Sequence, residues 1–375
     1  MSPRKLLLVN HDGLSDTLLL TALVRDFQRA TGGEFLVDVH TEGMPLWLYN
    51  QHISRLDWRP VSYDGVTPLE PHEYAVPERK LKLVCYDSEI QVVELSKSGH
   101  FAASDSLSHI NAYHAIHSFA HDISQKLGLN AVVPIGEQRG DIILSDIERG
   151  WVSQVEELGV PHMFWIVSTG GPYERSAMWW DPVRYQRVVD EFQGKITFVQ
   201  VGLANEHHPR LRGAIDLVGK TDLRQLVRLM YHAGGYLGPA NFLMHLACSV
   251  PIRPFDRNMR RRPPKRAAVI VAGGREPSQW IAYEGHQVVH TNGMLPCCAI
   301  GGCGKTRCEE LRPLESHPET LCSMPVSISR GVVTPRCLDI ITPRMVIDRI
   351  RFYYDGGAYS YDDASELTGA TKPAE

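Results

Sequence analysis

Apolar residues recur along the chain in short runs of strand length, each followed by a turn of small residues and a longer helical segment. The run at 5–10 leads into a turn at 11–16, and Leu, Val and Phe then recur at helical spacing over 17–30. A further apolar run follows at 35–39. Parallel strands joined by crossover helices produce this alternation. The pattern therefore predicts an α/β fold.

The same alternation resumes in the second half of the chain. Further predicted strands lie at 81–85, 141–144, 163–168, 196–201 and 267–272, and further predicted helices at 182–192, 222–232, 241–250 and 343–354. Between 50 and 80, Pro, Tyr and Glu are frequent without a clear period, which predicts loops with a few short elements. We expect domains at 1–150 and 160–340, followed by a C-terminal helix and tail at 341–375.

Composition and charge exclude several classes of protein. Of the 375 residues, 43% are hydrophobic and 22% are charged, and the net charge is −4. This balance is typical of a globular protein and disfavours a general nucleic-acid coat. No apolar run approaches the roughly 18 residues of a membrane span. The apolar start lacks a cleavage site after it, which favours a buried strand over a signal peptide, so we expect a cytoplasmic protein.

Three turns of small residues follow predicted strands and precede helical segments, at Gly13–Asp16, Thr169–Gly171 and Gly238–Asn241. Backbone N–H groups point outward at such turns and bind anions, including diphosphates. One such turn is weak support, but turns in both halves favour a nucleotide site. Asp16 is either a first-turn carboxylate favoured by the helix dipole or a general base that deprotonates a hydroxyl. Asp12 is the rival candidate for the base.

Three further side chains have open roles. His245 lies inside an apolar helix and is either a core residue or a ligand contact. Trp179 and Trp180 either pack between the two halves or border a base or a sugar.

The cysteines carry the most specific chemical signal in the sequence. Six of the eight lie between 297 and 337, namely Cys297, Cys298, Cys303, Cys308, Cys322 and Cys337. A reducing compartment disfavours disulfides, and clustered thiolates in a Gly-rich loop indicate a site in which four cysteines hold zinc or iron. Their spacing matches no common zinc-finger pattern, so the ligands and the metal stay open, with unpaired loop thiols as the alternative.

Three motifs resemble those of glycosyltransferase family 9, the heptosyltransferase-like enzymes. Gly13–Leu23 is similar to the family's Gly-Asp-x-Leu-x-x-Thr opening, Asp216–Leu223 to its D-L-x-G-K-T-x-L stretch, and Gly238–Ala247 to its D-T-G-x-x-H-L-A segment. The resemblance spans most of 5–255. It implies a GT-B architecture, in which two Rossmann-like α/β domains, the first for the acceptor and the second for the donor, face a central cleft.

The resemblance also implies a reaction. This is an inverting transfer of a heptose-like sugar from a nucleotide-diphosphate donor to a glycan or protein hydroxyl, with Asp16 as the base and no obligatory catalytic metal. The donor contacts that it implies are Ser168, Thr169, Gly170, Gly171, Arg175, Glu206, Gly219, Lys220, Thr221, Asn241, Met244 and His245. Ala240 stands where the family has an aspartate for the donor sugar, and 176–178 lacks the expected phosphate-binding lysine. The donor sugar and base therefore stay open.

The cysteine-rich stretch at 291–340 looks like the iron finger of the autotransporter-modifying heptosyltransferases, in which four cysteines hold one iron. There the last ligand precedes an I-T-x-x-x-V helix, as Cys337 precedes Ile341–Val346 here. This likeness implies a structural iron or zinc held by Cys298, Cys303, Cys322 and Cys337, with Cys297 as the alternate first ligand. Members of that subgroup assemble into large rings, which leaves a homo-oligomer open.

Two other functions remain open at this point. The basic, Pro-rich run at 253–266 is the direct support for a transferase that acts on a protein side chain or on a DNA base, although such a run is also typical of a solvated loop. Ala240 and the absent lysine leave room for a non-catalytic scaffold that binds a sugar nucleotide.

Overall fold

The structure is a computed structural model. It describes residues 2–96, 113–160, 163–254, 265–310, 320–328 and 331–359. They fall into two compact units, one within Met1–Ala103 and Ala115–Ile143 and the other within Ser104–His114 and Leu144–Glu375. The predicted tail after 359 and most of the basic run at 253–266 lie outside the described residues. Among the helices of the described chain, none has the length and apolarity needed to cross a bilayer.

The first unit has a parallel sheet of three strands in the order β2-β1-β6 and a separate antiparallel sheet in the order β3-β5-β4. Its elements are β1 (Arg4–Asn10), α1 (Leu14–Thr31), β2 (Phe35–Thr41), β3 (Trp58–Ser62), β4 (Glu73–Val76), β5 (Leu81–Cys85), β6 (Ile90–Glu94) and α2 (Ile116–Leu127). Both faces of β1 are covered. Leu6 and Leu8 pack in a core with α1 and α2, whereas Leu7 and Val9 pack with Leu83 of β5. This two-sided burial explains the continuous apolar run at the start of the chain.

The second unit has a parallel sheet of six strands in the order β12-β11-β10-β7-β8-β9. Its elements are α3 (Asp146–Gly150), α4 (Gln154–Glu157), β7 (Phe164–Val167), α5 (Pro182–Glu191), β8 (Thr197–Gln200), β9 (Ile215–Asp216), α6 (Leu223–His232), β10 (Gly235–Pro239), α7 (Phe242–Ser249), β11 (Ala267–Gly273), β12 (His286–His290), β13 (Pro325–Ser327), β14 (Val333–Pro335), α8 (Arg336–Asp339) and α9 (Pro343–Asp355). Trp165, Trp180 and Tyr354 lie in its core. The Trp165 indole donates to the Tyr354 hydroxyl at 3.0 Å, so α9 is part of this core.

The structure confirms the predicted α/β class and most predicted elements, but one predicted strand is wrong. Residues 141–144 are described and form no strand. The Asp141 amide donates to the Thr21 hydroxyl at 2.7 Å, and the Arg25 guanidinium donates to the carbonyls of Glu137 and Arg139. Side chains of α1 therefore hold this segment in place of a neighbouring strand.

Candidate functional site

The turn after β1 places two carboxylates in different environments. Gly13 precedes α1 with φ of 122°, a conformation that favours glycine, and no side-chain cap is found at this helix start among the described residues. Asp16 lies in the first turn of α1 and is only 1% exposed. Asp12 is exposed, and the Asn10 amide donates to its carboxylate at 3.1 Å. The predicted base, Asp16, is thus buried, whereas the rival candidate, Asp12, is exposed.

Two imidazoles lie beside this turn. His11 Nε2 and His40 Nδ1 are 3.0 Å apart. Burial, together with the neighbouring His11, lowers the pKa of His40 to about 4. Burial and then the charge of Arg79 lower the pKa of His11, and Arg79 pairs with Glu42 at 2.9 Å. Both imidazoles are therefore neutral near neutral pH. Sequence reasoning missed this pair because it arises from the pairing of β1 with β2.

The turn after β7 is paired with a neighbouring loop. The Gly171 amide donates to the His207 carbonyl, and the His207 amide donates to the Gly171 carbonyl, each at 3.1 Å. A Cβ on Gly170 would lie 1.9 Å from the same His207 carbonyl oxygen, so this approach requires glycine. The Thr169 hydroxyl accepts a hydrogen bond from Gln200 at 3.0 Å. Of the predicted donor contacts, Thr169–Gly171 thus meet the loop that carries Glu206.

Aromatic rings extend this pairing. The Trp179 ring stacks on the His207 ring, with centroids 4.0 Å apart and planes 20° apart. Tyr173 meets the edge of Trp179 at 5.5 Å. Trp179 is 7% exposed and Trp180 is fully buried in the core of this unit. The turn, the loop and the segment that follows the turn therefore form one packed group.

The predicted charged contacts lie at the surface of this group. Glu206 is partly buried, and its carboxylate lies 3.1 Å from His208 Nε2. His208 in turn packs on Gly202, where a Cβ would lie 2.2 Å from the imidazole. Arg175 is exposed in the 3₁₀ turn at Tyr173–Met178.

The predicted Gly219–Thr221 stretch joins the same loop. The Gly219 amide donates to the Gly202 carbonyl at 2.8 Å, and a Cβ on Gly219 would lie 2.6 Å from Ala204. Lys220 is exposed, and its ammonium donates to the Asp216 carbonyl at 2.7 Å. Two of the predicted donor stretches, Thr169–Gly171 and Gly219–Thr221, thus contact one loop, 202–207.

In the turn after β10, the asparagine has a structural role. Asn241 Oδ1 accepts from the Leu243 amide and from the Tyr236 hydroxyl, each at 3.0 Å, so Asn241 caps α7. Met244 and His245 are buried on α7. His245 Nδ1 lies 2.5 Å from the Tyr283 hydroxyl, a partner from outside the matched motif.

The cysteine-rich stretch gathers its thiols around one pocket. Cys297, Cys303, Cys322 and Cys337 line this pocket, which we call the thiol pocket. Its other lining residues are Ala177, Arg275, Leu295, Lys305, Met324, Pro335 and Arg336. All eight cysteines of the protein are free thiols. The clustering of cysteines in the sequence predicted that four thiols converge, but which four line the pocket could not be derived from their spacing.

The other two cysteines of the stretch lie next to the pocket. The Cys298 thiol donates to the Thr291 carbonyl at 3.4 Å, and a Cβ on Gly274 would lie 2.8 Å from its sulfur. A hydrogen bond from Cys308 lowers the pKa of Cys322 to about 6 and raises the pKa of Cys308 itself. Each of the predicted ligands Cys298, Cys303, Cys322 and Cys337 therefore lies in or beside the pocket.

The side chains of the thiol pocket are of a kind that binds metals. Four converging thiols are a donor set that suits zinc and iron. Within the described ranges, however, no group of three or more His, Cys, Asp or Glu side chains is arranged to hold a metal ion. A metal would require thiols of the pocket to turn toward a common centre.

Comparison with known proteins identifies the fold. No family model and no curated protein matches the sequence. The structure is similar to a glycosyl transferase family 9 protein from Veillonella parvula DSM 2008, with a TM-score of 0.55 and 13% identity over 94% of this chain and 97% of that one. The chain therefore has the fold of a family 9 glycosyltransferase, as the motifs indicated.

A second similarity is to TibC, an iron-containing dodecameric glycosyltransferase from enterotoxigenic E. coli H10407. The TM-score is 0.52 at 13% identity, over 95% of this chain and 77% of that one. For TibC in complex with ADP-D-beta-D-heptose, the TM-score is 0.54 at 14% identity, over 95% and 78% of the two chains.

Proposed function

We propose that this protein is an inverting glycosyltransferase that moves a heptose-like sugar from a nucleotide-diphosphate donor to a hydroxyl of a glycan or a protein. The observation that carries the proposal is the family 9 fold over nearly the whole chain, combined with the convergence of the predicted donor stretches on loop 202–207. The TibC complex with ADP-D-beta-D-heptose supports a donor of this chemical class.

On the donor side, the bond that breaks joins the sugar to the diphosphate, and negative charge grows on the leaving diphosphate. Fixed N–H dipoles and cations lower the barrier where they meet that charge. The proposed cations of this region are Arg175 and Lys220, which are both exposed. Asn241 caps α7, whose N-terminal dipole favours an anion. Glu206, on the loop that pairs with Gly171, is the proposed contact to the ribose.

On the acceptor side, the attacking hydroxyl must lose its proton as the new glycosidic bond forms. Asp16 is the proposed acceptor of that proton. It lies in the first turn of a helix of 18 residues, where the dipole favours the ionised carboxylate. The carboxylate is buried, and a hydrogen bond to a hydroxyl is stronger where bulk water is excluded.

The proposed metal has a structural role. Cys303, Cys322 and Cys337 would hold iron or zinc together with Cys298 or Cys297. The lining of the thiol pocket favours Cys297 as the first ligand, because the Cys298 thiol donates to a main-chain carbonyl. TibC is iron-containing and dodecameric, which supports both the metal and an assembly of several copies. Metal analysis and light scattering of the purified protein test these two points.

The test of the function is a thermal-shift screen against ADP-, UDP- and GDP-sugars. A ligand that binds only the folded state raises its stability, by about 2.7 kcal/mol at a hundredfold excess over Kd. We expect a shift with one nucleotide class and release of that nucleoside diphosphate when acceptors are added. Free sugars are the control. The absence of any shift would contradict the proposal and favour a different activity for this fold.

A further inference from the structure

The segment 176–180 connects the thiol pocket with the turn after β7. Ser176 Oγ accepts a hydrogen bond from the Cys308 amide at 3.1 Å, and the Ala177 amide donates to the Thr306 carbonyl at 3.0 Å. Ala177 also lines the thiol pocket. Ser176 and Ala177 are buried, so water cannot readily replace these bonds. The first half of the segment is thus fixed to the cysteine-rich stretch.

The second half is fixed to the chain on either side of Cys337. The Thr334 hydroxyl donates to the Trp179 carbonyl at 2.6 Å, and the Trp180 indole donates to the Ile341 carbonyl at 3.0 Å. Both bonds are buried. Hydrogen bonds therefore tie this short segment to the cysteine-rich stretch at several points and to the chain just before α9.

The same segment contacts the donor turn through one aromatic stack. The Trp179 ring lies on the His207 ring at 4.0 Å, and the His207 backbone exchanges two hydrogen bonds with Gly171. Glu206 precedes His207 directly. Packed side chains at native density transmit a displacement because they have no empty space to absorb it. Trp179 and His207 thus form a continuous line of packed groups between the pocket and Gly171.

We propose that Ser176 and Trp179 are positioning residues that couple the thiol pocket to nucleotide binding at the turn after β7. Nucleotide binding slows reactions of the pocket thiols, and modification of these thiols weakens nucleotide binding. Linkage requires that a modification which weakens nucleotide binding is itself disfavoured when the nucleotide is bound. The alkylation rates need not change by the same factor. The nucleotide half of this inference rests on the proposed function, whereas the connection between the pocket and Trp179 does not.

The test follows the alkylation of Cys303 and Cys322, which line the pocket and are partly exposed. Iodoacetamide forms an S–C bond with each thiol and releases iodide, and peptide mass spectrometry gives a rate for each cysteine. The full chain is first freed of metal with a chelator, because a metal held by these cysteines would block alkylation. Rates are then measured with and without saturating ADP, UDP or GDP. Dissociation constants of the nucleotides are measured by calorimetry on the same protein before and after alkylation.

The variants are Ser176→Ala and Trp179→Leu, with Ser124→Ala as the matched control. Ser124 Oγ is also buried and accepts an amide hydrogen bond from a distant residue, Val133, at 3.0 Å, but it lies in the first unit. Ser124→Ala also loses the hydrogen bond from Ser124 Oγ to the Ala120 carbonyl, so it shows the effect of a merely structural loss. Trp179→Leu removes the ring that lies on His207.

We expect the bound nucleotide to slow alkylation of both cysteines about fivefold or more, and alkylation to weaken nucleotide binding about fivefold or more, within the usual range of coupling energies. Ser176→Ala and Trp179→Leu raise the alkylation rate without nucleotide and abolish the protection, whereas Ser124→Ala changes neither. Nucleotide binding without protection, or variant rates equal to those of Ser124→Ala, overturns the coupling. If the variants accelerate alkylation but no nucleotide binds, the proposed function fails, together with the nucleotide half of this inference.

Discussion

The turns after β1 and β7 share one sequence pattern but differ in their surroundings. After β1 the chain enters a helix of 18 residues at once, and the described residues provide no side-chain cap there. After β7 it enters a 3₁₀ turn at Tyr173–Met178, and Gly171 exchanges two hydrogen bonds with His207. The pattern of strand, glycine and small residue therefore predicts where a turn lies. Whether the backbone amides of such a turn are free to bind a ligand depends on the hydrogen bonds that the neighbouring loop makes with them.

The two turns also differ in charge. The first has Asp16 in its helix and Asp12 before it, and the Glu42–Arg79 pair lies nearby. The second is bordered by the rings of Trp179 and His207, and its cation Arg175 is exposed. An acidic turn suits proton abstraction and a neutral one suits an anionic ligand. This difference is what divides the proposed roles between the two units.

The largest expected effect concerns the first turn. Asp16→Asn keeps the shape of the side chain and removes the proton acceptor, so we expect transfer to fall by about 10²–10⁴-fold. Nucleotide affinity should stay within about twofold, because the proposed donor contacts lie in the second unit. Product formation and calorimetry measure the two quantities. Asp12→Asn is the control, and an inactive Asp12 variant beside an active Asp16 variant would reverse the assignment.

The second turn is tested by Gly170→Ala. The added Cβ would lie 1.9 Å from the His207 carbonyl oxygen, so the two backbone segments must separate. We expect a loss of about 3 kcal/mol in the free energy of unfolding, at the upper end of overpacking effects. Urea denaturation measures it.

Gly150→Ala is the matched control for that substitution. No atom lies within 4 Å of a Cβ at Gly150, and its φ is in an ordinary region. Its stability should equal that of the parent protein or exceed it by up to about 1 kcal/mol, because alanine restricts the unfolded chain more than glycine does. If Gly170→Ala were equally stable, the pairing of Gly171 with His207 would not hold the turn, and the contrast with the first turn would disappear.

These two turns also show which features of the fold can be predicted from the sequence. Local patterns predicted β1, α1, β7 and the α/β class, since each depends on periodicity within one segment. The antiparallel sheet β3-β5-β4 and the strand β6 were not predicted, apart from β5 itself, because short half-exposed strands have little periodicity. The cysteine cluster predicted a shared site, but the choice of the thiols that line the pocket depends on contacts between distant segments. The stack of Trp179 on His207 depends on such contacts too. Spacing along one chain cannot specify such contacts.

A smaller effect is expected from acid on the first unit. Burial and His11 lower the pKa of His40 to about 4, while Asp38 opposes them. An unfolded histidine takes up its proton at about pH 6.5. The unfolded state therefore binds more protons between these values, and stability falls as the pH decreases through this window, by about 2 kcal/mol between about pH 7 and about pH 5.

His40→Gln should remove this part of the pH dependence, whereas the exposed His72→Gln should leave it unchanged. Urea denaturation at the two pH values measures both variants. A His40 variant that remained as acid-sensitive as the parent would mean that the imidazole pair beside the first turn is not shielded from water. The contrast between the surroundings of the two turns would then rest on charge alone.

The smallest effect concerns the third turn, where a side chain caps the helix. Asn241 Oδ1 accepts from the Leu243 amide and the Tyr236 hydroxyl, and Asn241→Ala should cost about 1 kcal/mol of stability. Asn241→Asp keeps an acceptor oxygen and should retain most of the stability, as measured by the urea midpoint. Loss of nucleotide affinity with unchanged stability would instead assign the amide to the ligand. In that case a capped turn would bind the anion as readily as an uncapped one, because the ligand would replace the cap.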